Sequence, residues 1–234
     1  MVVSTSPLPQ AVALPRGERV PVRDLPAATA PGPVRVRCPR APIRTLEAQH
    51  RDAILHHLLT LGERDRYLRF GYAAQDEHIR RYVDGLRFGL DEVFGIFNRR
   101  LELIAMAHLA YMVSSERGSD SAEFGVSVSA HARGRGYGHQ LFGRAVVHAR
   151  NHGVRYLYIH ALSENAPMLR IARSAGATVV QHAGESECHL ELPPADFESH
   201  VSELIEEEVA RTDYWLKACR RGWRRLMRWL AARG

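Results

Sequence analysis

The run Arg133-Gly134-Arg135-Gly136-Tyr137-Gly138 carries the residue types best suited to holding an anion. Alternating glycines let the backbone take positive φ without a Cβ clash, so successive N–H groups can turn toward one point. An alternating stretch, Ala122 to Ser129, precedes the run, and an amphipathic helical pattern, His139 to His152, follows it. Strand, glycine turn and helix start together place an anion at the positive end of the helix. A P-loop requires Lys-Ser/Thr after its last glycine, and Tyr137-Gly138-His139 stands there instead. A dinucleotide fingerprint requires G-x-G-x-x-G, and the third glycine here comes one residue early, at Gly138. The pattern that remains is Arg/Gln-x-x-Gly-x-Gly/Ala, met by Arg133, Gly136 and Gly138.

Other chemistry-bearing residues are less organised. His148 and His152 share a helix face at i, i+4, but no acid accompanies them in an H-E-x-x-H pattern, so no metal site is expected. Cys188-His189 lies in an alternating strand that points the two side chains to opposite faces, which argues against a nucleophile–base pair. Cys38, Cys188 and Cys219 are odd in number and far apart, which fits reduced thiols in a cytoplasm better than a disulfide framework.

The elements that must position the turn follow from periodicity. Ile43 to Leu46 predicts a short strand, Ala48 to Leu61 a helix, Arg64 to Phe70 a short helical or irregular piece, and Asp76 to Leu86 a further helix. Val93 to Asn98 and Leu101 to Val113 predict strands joined by a hairpin turn at Asn98-Arg99-Arg100, and Ser114 to Ser121 a polar loop. Past the turn and its helix, Val154 to Leu162 predicts a strand. Asn165 predicts the cap of a helix from Ala166 to Ala175, with Pro167 tolerated in its first turn. Thr178 to His182 and Cys188 to Leu192 predict a closing hairpin, and Phe197 to Leu230 a mostly helical stretch. Antiparallel strands followed by a βαβ crossover predict an α/β fold with a mixed sheet.

Nine of the twelve prolines fall between Pro7 and Pro42, so residues 1–41 read as a disordered or extended Pro/Arg-rich leader. Residues 42–194 read as one domain and 195–234 as a helical extension. The net charge of +6 is basic enough to raise nucleic acid as a partner. The basicity sits in the tails, however: seven Arg against two acids in 1–44, and Lys217 with six Arg and no acid in 217–234. Seven acids against Arg211 in 196–213 oppose them, which leaves the middle neutral and no specific nucleic-acid partner expected. No apolar run approaches the ~18 residues of a membrane span.

The glycine run resembles the acyl-CoA pyrophosphate loop of the GNAT superfamily of N-acetyltransferases. Glu164-Asn165-Ala166-Pro167-Met168, running on to Gly176-Ala177, is similar to that family's Asn-containing helix, with the strand Val154–Leu162 between the two as the family requires. The resemblance covers residues 43–192, most sharply 122–177. Arg66-Tyr67-Leu68-Arg69-Phe70, the Ala122-Glu123-Phe124 strand and the Asn165–Met168 element look most like catalytic domains of bacterial protein-lysine acetyltransferases.

That resemblance implies acetyl-CoA as cosubstrate, a central mixed sheet flanked by helices, and a primary-amine acceptor. A protein lysine is the first expectation for the acceptor and a small-molecule amine the second, with a non-catalytic acyl-CoA-binding module as the rival from another class. Gly134, Gly136 and Gly138, with the N–H groups of Arg135 and Tyr137, would hold pyrophosphate, and Arg133 and Arg135 would add charge. Backbone groups near Val126 and Val128 would bind pantetheine, and one N–H there would stabilise the oxyanion. Glu123, opposite in face to Phe124, Val126 and Val128, would serve as general base, ahead of Glu92 and Glu102 on neighbouring strands. Many family members place a Tyr four residues before the helix-ending glycine; Ala172 occupies that position, leaving water, Ser163 or His160 to protonate the thiolate. Asn165 would bond pantetheine or cap its helix.

In the extension, Trp215, Cys219, Trp223, Leu226 and Leu230 share a helical face ringed by Lys217 and five Arg. This predicts packing on the domain, a homodimer or another partner, with a membrane-surface helix as the sharper alternative.

Overall fold

The computed structural model of the chain describes residues 41–112, 120–182 and 185–195, with 203, 207–214 and 217 from the C-terminal segment. The expectations for residues 1–40, for most of the loop 114–121 and for the Trp-lined face of the extension lie outside the described residues.

The described chain forms β1 (Arg44–Thr45), α1 (Arg51–Leu59), α2 (Glu63–Phe70), α3 (Asp76–Asp84), β2 (Glu92–Phe97), β3 (Leu103–Met112), β4 (Ser121–Val128), α4 (Tyr137–Asn151), β5 (Tyr156–Leu162), α5 (Ala166–Ser174), β6 (Thr178–His182) and β7 (Glu185–Glu191). The seven strands make one mixed sheet in the order β1-β2-β3-β4-β5-β7-β6. Only β4 and β5 run parallel, as the crossover through α4 requires.

Each face of the sheet has its own core. Leu141, Phe142 and Ala145 of α4 and Met168, Leu169 and Ala172 of α5 pack with Phe124, Leu157 and Ile159 on one side. Ile54 and Leu58 of α1 and Ile79 and Val83 of α3 pack with Val93, Leu103 and Met106 on the other. Polar residues of β4 therefore alternate toward α1–α3, and apolar ones toward α4 and α5.

Of the two readings of Arg64–Phe70, helical or irregular, the helix holds: it runs Glu63–Phe70, capped at Gly62 and stopped by Gly71 at φ 80°, with none of its residues fully buried. Several other boundaries differ from the sequence reading. The helix expected from Ala48 opens as a 3-10 turn, Ala48–His50, before α1. Leu101 is no strand residue: it sits at φ 59° in the hairpin turn, where Asn98 accepts from the N–H groups of Arg100 and Glu102. The final strand begins at Glu185 rather than Cys188.

From the C-terminal segment, residues 207–214 and 217 are helical. Tyr214 packs edge-on to Phe97 at 5.3 Å, and the Lys217 ammonium donates to the Phe97 carbonyl at 3.0 Å. That end of the segment is thus held against the domain near β2.

Candidate active site

The pairing of β4 with β5 is short. Ser121, Ala122 and Glu123 face Tyr156, Leu157 and Tyr158, and there the ladder ends, although β4 runs on to Val128 and β5 to Leu162. Beyond Glu123 the two strands diverge. A cavity of about 680 Å³ opens there, lined by Val126 and Val128 on one wall and Asn165 and Met168 on the other. Its size suits an elongated organic ligand.

The glycine turn closes one end. Gly134 and Gly136 stand at φ 73° and 74°, the left-handed region where a side chain strains, and Gly136 is the residue before the first turn of α4. Gly138 sits where α4 approaches α5, and a Cβ there would lie 3.2 Å from Ile171 Cδ1. None of Gly134, Arg135, Gly136, Tyr137 and Gly138 donates its backbone N–H to another described residue. Five donors at a helix N-terminus are thereby left for an anion.

Arg133 lines the same cavity, ion-paired to Asp65 of α2 with its Nε 3.4 Å from the Val128 carbonyl. Arg135 is exposed and does not line it. Asn165 ties the walls together: its Oδ1 accepts from Met168 N–H and its Nδ2 donates to the Leu68 carbonyl, each at 3.3 Å. It is both helix cap and bridge to α2.

Glu123 lies outside the cavity lining, exposed on the α1–α3 face at the last paired rung. Gly125 and Ser127 follow it on that face. The Arg69 guanidinium packs directly on Gly125, and Arg69 Nη2 donates to the Tyr82 hydroxyl at 2.8 Å. Tyr82 in turn bonds His108 Nδ1 at 2.9 Å, and His108 Nε2 stands 3.6 Å from Asp91, which Arg87 grips with two nitrogens. Burial, then the Arg69 charge, pushes His108 down to about pKa 4. Burial raises the Tyr82 phenol, and Glu123 adds to that rise while Arg69 opposes it. The expected base therefore stands beside a chain of polar side chains supplied by α2, α3 and β3.

Ser127 lines the cavity and meets His57 Nε2 at 2.9 Å. The other nitrogen of His57 lies 3.2 Å from the Leu103 carbonyl, so the ring accepts the Ser127 proton if Nδ1 carries its own. Burial lowers His57 to about pKa 4 and keeps it neutral. The sequence reading did not select Ser127, His57, Tyr82 or His108, and it named Arg69 only as part of the Arg66–Phe70 run, with no role. Ser163 and His160 do not line the cavity; Ser163 faces Ser186 at 3.0 Å and His160 is exposed. Ala172 is fully buried among apolar neighbours. Glu92 lies on the α4 side of the sheet, near His148, and Glu102 in the hairpin bonded by Asn98.

The family model of the acetyltransferase (GNAT) domain matches residues 40–178. The chain belongs to the GNAT acetyltransferase family. It is an acyl-CoA-dependent N-acetyltransferase, and the matched span holds the glycine turn, the β4–β5 divergence and the Asn165 helix.

Solved structures share the fold. The GNAT domain of PAT from S. lividans is 19% identical with a TM-score of 0.55, over 64% of this chain and 89% of that one. A GNAT-family acetyltransferase from Streptococcus pneumoniae is 13% identical, TM-score 0.52, over 64% and 98%. An N-acetyltransferase from Staphylococcus aureus Mu50 is 17% identical, TM-score 0.52, over 66% and 99%. Curated proteins give no match to the chain. Among the described residues no helix of the acetyltransferase is long and apolar enough to cross a membrane.

Proposed function

We propose that the acetyltransferase moves the acetyl group of acetyl-CoA to a protein lysine side chain by direct transfer, with Glu123 as general base. The observation that carries this reading is the end of the β4–β5 ladder at Glu123. Acetyl-CoA threaded into the diverging strands from the α4 side would bring its thioester toward that rung, while the carboxylate stands open on the opposite face to an incoming amine.

In this reading the N–H groups from Gly134 to Gly138 hold the pyrophosphate and Arg133 supplements them, while Asn165 keeps the two walls at their spacing. Val126 and Val128 offer backbone groups to pantetheine, and an N–H there faces the developing oxyanion. Acetyl-CoA supplies the activated acyl group when bound. An exposed carboxylate on an open face suits a long cationic side chain presented by a macromolecule. A cytoplasmic location accords with the scattered cysteines.

A lysine amine has a reference pKa of about 10.4, so about one in a thousand is neutral at pH 7.4 and about one in ten at pH 9.4. Removal of that proton by a placed base contributes about 10²–10⁴-fold. Glu123→Gln should therefore lower thiol release from acetyl-CoA by about that factor near neutrality, with the deficit shrinking as pH rises. A deficit constant across pH removes Glu123 as base. Turnover with small amines alone, and none with lysine peptides or proteins, overturns the acceptor assignment.

A further inference from the structure

Glycine inside a strand weakens it and marks a place where something approaches the backbone closely. In β4 that place is Gly125, and what approaches is a charge. The space a Cβ would take there is filled by the Arg69 guanidinium, with Cζ and Nη2 each 2.8 Å from the Cβ position. The charge is aimed as well as seated. Nη2 donates to the Tyr82 hydroxyl at 2.8 Å, and His108 holds that hydroxyl from behind at 2.9 Å. The rings of Phe70 and Tyr82 flank it, with centroids 5.2 and 5.4 Å from Cζ.

What Arg69 lacks is a counter-charge. It lines the cavity and is half-buried, and its Nε is buried without a hydrogen-bond partner. Among the described residues no carboxylate pairs with it. The acids of the neighbouring network are taken: Asp65, one turn back on α2, by Arg133, and Asp91, behind His108, by Arg87. A phenol and two aromatic faces are neutral partners. A guanidinium drawn from water against neutral partners keeps its charge uncompensated, and a carboxylate is the group its planar fork fits.

Glu123 and Gly125 alternate onto the same sheet face, away from α4. Two residues along a strand span about 7 Å, so this face offers a carboxylate and, about 7 Å on, a guanidinium. An extended peptide has the same repeat: side chains two residues apart point the same way at that spacing. We propose that Arg69 binds a carboxylate of the acceptor, so that the acetyltransferase selects lysines with an aspartate or glutamate two residues away. The inference rests on the reading of Glu123 as the base that meets a lysine amine. The amine and the acid of the acceptor then each lie against the opposite charge, and a cation in place of the acid is repelled.

The test is thiol release from acetyl-CoA by the full-length chain with synthetic peptides. Each carries one lysine, with Asp, Asn or Arg two residues before and after it. The Asp peptide should exceed the Asn peptide in kcat/KM by about 10–100-fold, the range for a hydrogen bond to a charged group, and the Arg peptide should be poorest. The ratio is internal to each protein, so a loss of folded enzyme does not change it. Arg69→Gln, which can still donate to Tyr82, should make the Asp and Asn peptides equal. Arg69→Lys, which keeps the charge without the fork, should retain a preference for Asp. Succinyl-CoA with the Asn peptide tests the other source of a carboxylate, the acyl group. Equal use of the Asp and Asn peptides, a preference that survives Arg69→Gln, or a preference for succinyl-CoA over acetyl-CoA that Arg69→Gln removes overturns this inference alone. Turnover of none of the peptides overturns the lysine acceptor, and this inference with it.

Discussion

Gly125→Ala tests how the site beside Glu123 is built. In the strand this change removes backbone entropy and would ordinarily stabilise by about 0.5–1 kcal/mol. Here the added Cβ would stand 2.8 Å from Arg69 Cζ and Nη2 and 2.9 Å from Nη1, against an ordinary contact of 3.4–4 Å. The guanidinium, the far end of a flexible side chain, must retreat by at least about 0.6 Å to reach ordinary contact, which strains its bond to the Tyr82 hydroxyl. A hydrogen bond to a charged group is worth about 1.5–3 kcal/mol, so even its full loss, set against the gain of about 0.5–1, leaves a net cost of about 0.5–2.5 kcal/mol in the parent chain. In an Arg69→Ala background the obstruction is gone, and the same substitution should be neutral or stabilising by about 0.5 kcal/mol. Urea unfolding of the four proteins measures the coupling, read from midpoints at constant slope. Effects that add within about 0.5 kcal/mol would show that Arg69 does not occupy the space above Gly125.

Gly136→Val forces a β-branched residue into φ 74°, a strain of about 1–3 kcal/mol, and should abolish CoA binding by calorimetry while circular dichroism stays native; retained binding would exclude the turn as the pyrophosphate site. Asn165→Ala removes a cap and the bridge to Leu68, so stability should fall by about 1 kcal/mol and the KM for acetyl-CoA should rise; an unchanged KM would leave Asn165 as a cap alone. His57 and His108 both have folded pKa values of about 4, below the unfolded 6.5. Their neutral burial therefore stabilises fully above pH 6.5, and that contribution declines as pH falls through 6.5 toward 4, by up to about 3 kcal/mol each. Urea midpoints that stay flat across that window would mean that neither ring is buried neutral.

The anion turn could be read in the sequence because its geometry demands a residue type: two positive-φ positions and one close helix approach appear as Gly134, Gly136 and Gly138. The Asn165 helix was legible for a similar reason, since a cap must precede its helix by a fixed step. The strand–turn–helix–strand order then sufficed to recover a mixed sheet. What escaped were contacts whose partners are far apart in the chain. Ser127 meets His57 across 70 residues, and Arg69, Tyr82 and His108 come from three elements with no shared pattern. α2 was legible only as helical or irregular because it buries no full stripe, and Leu101 escaped because a leucine at positive φ contradicts its own propensity. Glu92 and Glu203 could not be joined to His148 by spacing, because they reach it from β2 and from the far end of the chain.

The strand order has a consequence for synthesis. β5 shares three rungs with β4 but seven with β7, the last strand described, which slots between β5 and β6. During translation, β5 emerges with the edge opposite β4 wholly unpaired and keeps it so until residues 185–191 have left the ribosome. A chain stopped at residue 178, where the family match ends, would keep that edge permanently. It would carry the whole anion turn and Asn165, yet present an apolar strand ready to pair with another copy.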